Sequence, residues 1–241
     1  MKRTERQHLK DNELVNLATG ARQLVEERKT QVFATAIAII VILGGAIAYF
    51  GWRSHVGGLA DALLAEATAL DDAPVGPPPA PGSTVTGVRF NSAREKAQAQ
   101  LTKFRTVAED YPSTAAGMFA RYREAATWVA LGSPKEAVTA YQLVVDRAGN
   151  SFYGRMARLG LAEAQARTGQ FDQAISIYSD MAQRKDDGVP IDGVLIQLGR
   201  TYRDAGKRTE AEQAFNRIIA DYPGSPFSDE ARRELEALKK S

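Results

Sequence analysis

Grouped carboxylates are the first residues here whose type could do chemistry, and Asp186, Asp187 and Asp192 stand close together in the stretch RKDDGVPIDG. Such a set could hold calcium, but it lacks the alternating carboxylates and the closing glutamate of a calcium loop, so it reads as a solvated connection. Asp71 and Asp72, beside a run of prolines, read in the same way as the start of a soluble linker. Cysteine is absent, which removes thiolate catalysis, thiolate metal sites and disulfides together. The two histidines, His8 and His55, both lie near one apolar segment, leaving the rest of the chain without an imidazole base or ligand. No nucleophile stands with a base, and no glycine loop is spaced to cradle phosphate. The expectation is a protein that is not an enzyme and uses neither cofactor nor metal.

The side chains that remain are of types that bind protein. Phe119, Tyr122 and Arg123, then Glu163, then Gln197, Arg200 and Arg203 offer aromatics at one end and arginines at the other, a combination suited to an extended or helical peptide. Whether they can share a face depends on the elements that carry them.

Those elements repeat. Gly132, Gly169 and Gly206 are spaced by 37 residues, as are Ala137, Ala174 and Ala211, and as are Tyr141, Tyr178 and Phe215, with Phe104 one period upstream. The glycine ends one helix, the alanine lets the preceding helix approach closely, and the aromatic fills the groove that results. Together they specify antiparallel helix hairpins. Ser133-Pro134-Lys135-Glu136 predicts a serine cap with proline in the first turn, and Ser92 with Glu95 has the spacing of a capping box opening a helix from 92 to about 110. Proline marks the junctions Tyr111-Pro112-Ser113 and Tyr222-Pro223-Gly224-Ser225, and a final helix from about Pro226 to Lys240 reads as a terminal cap. The array would present its first helices on one concave surface, adding Ala126, Val129, Met156, Leu159 and Ile196 to the residues above. For any one of them, packing against the array is the competing reading.

In the third copy, Leu195, Leu198-Gly199, Tyr202, Gly206, Ala211, Phe215 and Pro223 resemble the tetratricopeptide repeat almost column by column. In the first two copies Ala125 and Ala162 replace Gly199, and Trp128 and Gln165 replace Tyr202. A period of 37 implies three residues more than the 34 of that repeat, expected in connections such as KDDGVPIDG. The resemblance, over roughly residues 92 to 240, implies an all-α superhelical array. The chaperone-tail ligand of this repeat class needs a lysine and an asparagine where this chain has Tyr122 and Ala126, so that ligand is not expected.

Thr30 to Trp52 is a run of 23 residues without a charge, ending in Tyr49, Phe50 and Trp52. At about 1.5 Å per residue it spans the roughly 30 Å hydrocarbon layer, with rings at the interface. A cleaved signal at Ala46-Ile47-Ala48 is the weaker reading, because the 31-residue leader, residues 1–31, carries five acids. Arg22, Arg28 and Lys29 precede the run whereas only Arg53 follows it closely, which predicts a cytoplasmic N-terminus and an exported C-terminal part.

The expected organisation is therefore a cytoplasmic leader over 1–29 with an amphipathic helix at 12–28, and a transmembrane helix over 30–52. A juxtamembrane helix and proline-rich linker over 53–91 and a tetratricopeptide repeat domain over 92–241 follow. Residues 71–87, with five prolines, are expected to be extended and exposed, and the helices at about 54–71 and 92–110 to pair as an irregular first hairpin. Residues 53–241 balance 24 Lys/Arg against 24 Asp/Glu, which argues against nucleic acid as a partner.

This architecture is similar to that of the YfgM-like ancillary subunit of the bacterial Sec translocon. The ADYPGSPFSDEA junction also resembles those of the envelope proteins BamD and the Tol-Pal associated repeat protein. Those resemblances imply a single-pass inner-membrane protein with periplasmic repeats that contact the Sec translocon, periplasmic chaperones or envelope-assembly partners. The alternative they leave open is a self-associating scaffold of an envelope complex.

Overall fold

In the computed structural model, residues 29–77, 87–184 and 188–240 are described. They hold nine α-helices: α1 Lys29–Ala69, α2 Ala93–Asp110, α3 Ala115–Ala130, α4 Pro134–Ala148, α5 Phe152–Arg167, α6 Phe171–Gln183, α7 Ile191–Asp204, α8 Arg208–Asp221 and α9 Ser228–Lys240. The leader helix expected at 12–28, the middle of the proline-rich linker, and Asp186 and Asp187 lie outside the described residues.

Two compact units result, residues 1–55 and 56–241. The described part of the first is the N-terminal stretch of α1, whose Phe33, Ile37, Ile40, Ile47, Phe50 and Trp52 are exposed. Its most apolar 18-residue window has a mean hydropathy of 2.4, and among the described residues α1 alone is long and apolar enough to cross a membrane. No proline falls between positions 52 and 54, and the helix continues through the boundary expected there.

The second unit is a row of helix hairpins. Ala60 and Ala67 of α1 are fully buried against Phe104, Val107 and Ala108 of α2 and Ala116 and Ala120 of α3, with Leu63 and Leu64 packed alongside. The irregular first hairpin is thus formed, and it belongs to the same unit as the repeats, which begins at Val56. α3 pairs with α4, α5 with α6 and α7 with α8, and α9 packs on α8. First helices of neighbouring hairpins also touch, α3 with α5 and α5 with α7.

Each of the three tight turns is built the same way. Gly132, Gly169 and Gly206 have φ of 79°, 78° and 74°, a conformation in which a side chain is strained. The amide after each glycine reaches back to close the helix, Ser133 to Trp128 O, Gln170 to Gln165 O and Lys207 to Tyr202 O, at 2.9, 2.9 and 2.8 Å. The glycine amides bond Val129 O, Ala166 O and Arg203 O, completing a Schellman turn in every copy. This turn overrides the serine cap expected at Ser133. Its φ and ψ of −113° and 66° lie outside the extended geometry of a capping residue, and its hydroxyl caps nothing. The capping box at Ser92 forms in a shifted register: the Ser92 hydroxyl accepts from the Glu95 amide at 3.1 Å, while Glu95 accepts from the amide of Asn91 at 2.8 Å.

The three extra residues do not all fall in connections. The first repeat joins α4 to α5 through residues 149–151 alone, so its additional length is helical, whereas the second places it in the connection 184–190.

The alanine column Ala137, Ala174 and Ala211 is fully buried, and Phe104, Tyr141, Tyr178 and Phe215 are all in the core. Each ring fits between two first helices, and glycine marks where the fit is closest. A Cβ on Gly199 would stand 2.4 Å from the Phe215 ring within one hairpin, and one on Gly160 would stand 2.4 Å from the Tyr141 ring of the hairpin before. Gly160→Ala gains about 1 kcal/mol of helix propensity but must displace a ring packed against Tyr122, an overpacking cost of about 1–3 kcal/mol. The expected net is a loss of about 1 kcal/mol, read by denaturant unfolding, and Tyr141→Leu in the same chain should turn it into a gain.

Candidate protein-binding face

Helical periodicity puts positions 119, 122, 126 and 129 of α3, and 156, 159 and 163 of α5, on the side of the first helices away from their partners. Phe119, Tyr122, Ala126, Val129, Met156, Leu159 and Glu163 are all half-buried, as a groove lining should be. Gln197, Arg200 and Arg203 of α7 are half-buried too, but Ile196 is fully enclosed and belongs to the core.

The predicted residues do not form one open strip, because the chain covers both ends of it. At the α3 end the guanidinium of Arg123 donates both Nη atoms to Asp71, at 2.9 and 2.7 Å. It lies 4.7 Å from the Phe104 ring centroid and 5.9 Å from that of Phe119. Asp71 also accepts from Gln100 Nε2 at 2.6 Å, and Lys96 Nζ donates to the carbonyls of Asp71 and Ala73 at 2.6 and 2.9 Å. The linker's ends are therefore docked, starting in a short helical turn over 70–72, although residues 71, 72, 74, 75, 77 and 87 are exposed as expected. Val75 bridges to Phe90, the Gly76 amide donates to Phe90 O at 2.9 Å, and Phe90 is buried.

At the α7 end Arg200 pairs with Glu230 and, at 3.6 Å, with Glu234, while Arg203 pairs with Glu234 at 2.5 Å and with Asp204 at 2.9 Å. Helix α9 stands where the first helix of another hairpin would, and supplies the carboxylates. Asp192 accepts from the Ser225 hydroxyl at 2.6 Å and ties α7 to the turn before α9.

The open stretch between these ends is centred on Glu163, which accepts from Arg167 at 2.8 Å with both side chains about half exposed. The Tyr122 ring lies 5.7 Å from that of Tyr141 beneath it. Burial raises the pKa of Tyr122, Tyr141 and Tyr178, and the Glu163 carboxylate pushes each in the same direction. An acid whose folded pKa is raised keeps its stabilising contribution below its unfolded pKa of about 10 and loses it as pH rises beyond that value. Thermal melts at about pH 9 and about pH 11 should show a fall in Tm for the parent and a smaller fall for Tyr141→Phe/Tyr178→Phe. Phe215 fills the same place in the third repeat with nothing to titrate.

Sequence reasoning missed two features of the site's support. Glu124 is buried on α3 and paired with Arg121 at 2.6 Å, in a register where the next two copies carry Leu161 and Leu198. That column was readable in the sequence as a carboxylate among leucines. Asp71, 52 residues from Arg123, carried no signal at all.

The model of the tetratricopeptide repeat-like domain matches residues 29–239. No curated protein matches the chain. Among solved structures it is similar to nearly identical TPR-like repeats from a Podosopora anserina protein assigned as a kinesin light chain, at 18% identity. That match covers 60% of this chain and 78% of that one with a TM-score of 0.52. A variant of the same repeats carrying a glutamine-to-methionine substitution matches with the same values. At that identity the likeness concerns the fold, an array of helix hairpins, and nothing more.

Proposed function

We propose that the chain, which belongs to the tetratricopeptide repeat-like domain family, a class of hairpin array that presents extended concave binding surfaces, acts by holding other proteins at a membrane. On this reading residues 30–52 span the bacterial inner membrane, 1–29 are cytoplasmic, and 53–91 with the repeats of 92–241 are periplasmic. The function is protein secretion, chaperone hand-over or envelope assembly in association with the Sec translocon. The observation that carries it is the joining, in one chain, of the charge-free run Thr30 to Trp52 to a repeat array with a half-buried face around Tyr122, Leu159 and Glu163.

A photo-crosslinking residue at Leu159, in the open middle of that face, tests the partner class in cells. Recovery of translocon, chaperone or envelope-assembly components supports the reading, and recovery of none of them defeats it. Topology is checked separately. The chain has no cysteine, so Thr4→Cys and Ser92→Cys each give one reactive thiol. An impermeant maleimide added to spheroplasts should label the second and spare the first.

A further inference from the structure

A second surface lies at one edge of the array, around the loop 149–151 that joins α4 to α5. Three arginines surround it, and among the described residues each donates only to amide or carbonyl oxygens. Arg155 Nη1 bonds Asn150 O at 2.6 Å, Arg158 Nη2 bonds Asn150 Oδ1 at 3.0 Å, and Arg147 Nη1 reaches Pro112 O at 3.4 Å. Arg155 Nε is shut away from solvent with no hydrogen-bond partner among the described residues. The carboxylate nearest Arg147 in sequence, Asp146, is engaged by the Gln142 amide at 2.7 Å, and the one nearest Arg155 and Arg158, Glu163, by Arg167 at 2.8 Å.

The repeat supplies its own control. Arg158 stands in the register of Arg121 and Leu195. Arg121 is neutralised by Glu124, and Leu195 is core, but the second copy keeps the arginine and has Leu161 where the glutamate was. Its positive charge is therefore left without the carboxylate that the fold provides one repeat earlier. Phe152, three residues before Arg155 on α5, is 61% exposed. Phe152 stacks edge-on against Tyr153 at 5.7 Å, and Tyr153 lies 5.7 Å from Phe119. A cavity of about 410 Å³ lined by Pro112, Ser113, Met118 and Arg147 adjoins the patch.

The geometry points to Arg147, Arg155 and Arg158 with Phe152 as a docking site for an acidic segment of a partner protein, one whose carboxylates alternate with apolar side chains. Planar guanidinium forks match carboxylates two bonds at a time, and an exposed ring beside them shields those bonds from water and seats the neighbouring apolar residue. An anionic lipid surface is the poorer match, since polybasic membrane contacts use clusters of about four to eight cations.

The test uses the full chain in neutral detergent micelles and a fluorescein-labelled peptide of alternating glutamate and leucine, with fluorescence anisotropy as the readout. The Glu peptide should bind, weaken as salt rises, and lose affinity about tenfold on Arg155→Gln/Arg158→Gln and severalfold on Phe152→Ser. The same peptide with Gln for Glu should bind about tenfold more weakly. Arg232→Gln, which removes an exposed arginine of α9 paired with Asp229, should change nothing. Should the double variant lose helicity by circular dichroism, Arg147→Gln/Arg158→Gln carries the same expectation. Equal affinity for the Gln peptide, unchanged affinity in the patch variants, or an equal loss with Arg232→Gln would each overturn the site. So would displacement of the peptide in nanodiscs of anionic but not neutral lipid, which would make the patch a membrane contact.

Discussion

Phe104→Ala should lower the stability of the 56–241 unit by about 3–5 kcal/mol, at the upper end of what one core truncation costs. The ring is fully buried in a cluster rich in small side chains, Ala60, Ala67, Ala108, Ala116 and Ala120 with Val107, and only Leu63, Leu64 and Tyr111 packed against it are large. The alanines have no side-chain freedom with which to refill the space, so much of the cavity persists and the cost includes transfer and cavity terms together. The same ring carries the Arg123 guanidinium at 4.7 Å, and that guanidinium holds Asp71 with two bonds. One substitution therefore loosens the first hairpin and the docked start of the linker together. Phe215→Ala, equally buried in the third repeat, should match it in unfolding free energy. The two should part in proteolysis, because Phe104→Ala alone should hasten trypsin cleavage after Arg89, whose guanidinium donates to Pro77 O at 3.1 Å across the linker's ends. Unfolding in denaturant, followed by circular dichroism in detergent, gives the first comparison. A loss below about 1 kcal/mol would mean that α1 and α2 do not form a structural repeat.

The sequence made legible what recurs and little of what occurs once. Gly132, Gly169 and Gly206 could be found because one Schellman turn is used three times and tolerates no other residue well. The alanine and aromatic columns were found for a similar reason: burial allows few side-chain sizes, and a period multiplies the signal. Gly160 escaped because its partner Tyr141 belongs to the hairpin before, and because the same register holds Arg123 and Gln197 in the other copies. Gly160 and Arg123 nonetheless share one task, crossing the aromatic of the preceding repeat, with Arg123 doing so by stacking on Phe104. The candidate face was legible as a set of positions but not as a free surface. The carboxylates that claim Arg123, Arg200 and Arg203 come from Asp71, Glu230 and Glu234, outside the periodic part of the pattern. Periodicity says where a helix points, and only the fold says what has been laid across it.

Glu124 gives the second large effect, and the direction depends on what replaces it. Its carboxylate is buried and bonds Arg121, whose side chain is itself only 17% exposed. Glu124→Ala would leave that guanidinium half-desolvated with nothing opposite it and open a gap between α3 and its neighbours. Removing one partner of a buried pair costs about 3–5 kcal/mol, and about 3 kcal/mol is expected here because Arg121 retains some solvent and some attraction from Glu109 of α2. The other repeats show what the position accepts. Leu161 and Leu198 fill it in the second and third copies, and Leu195 fills the register of Arg121 in the third. Arg121→Leu/Glu124→Leu should therefore be neutral or more stable than the parent, since replacing both charges with packed apolar groups avoids their desolvation. Glu124→Leu alone should still lose stability, because it fills the gap but strands the arginine. The full cycle, measured by denaturant unfolding, isolates the coupling between the two side chains. If the double leucine variant were as unstable as Glu124→Ala, the pair would be doing more than packing: it would be setting the register of α3 against α2, where Arg105 and Glu109 face it.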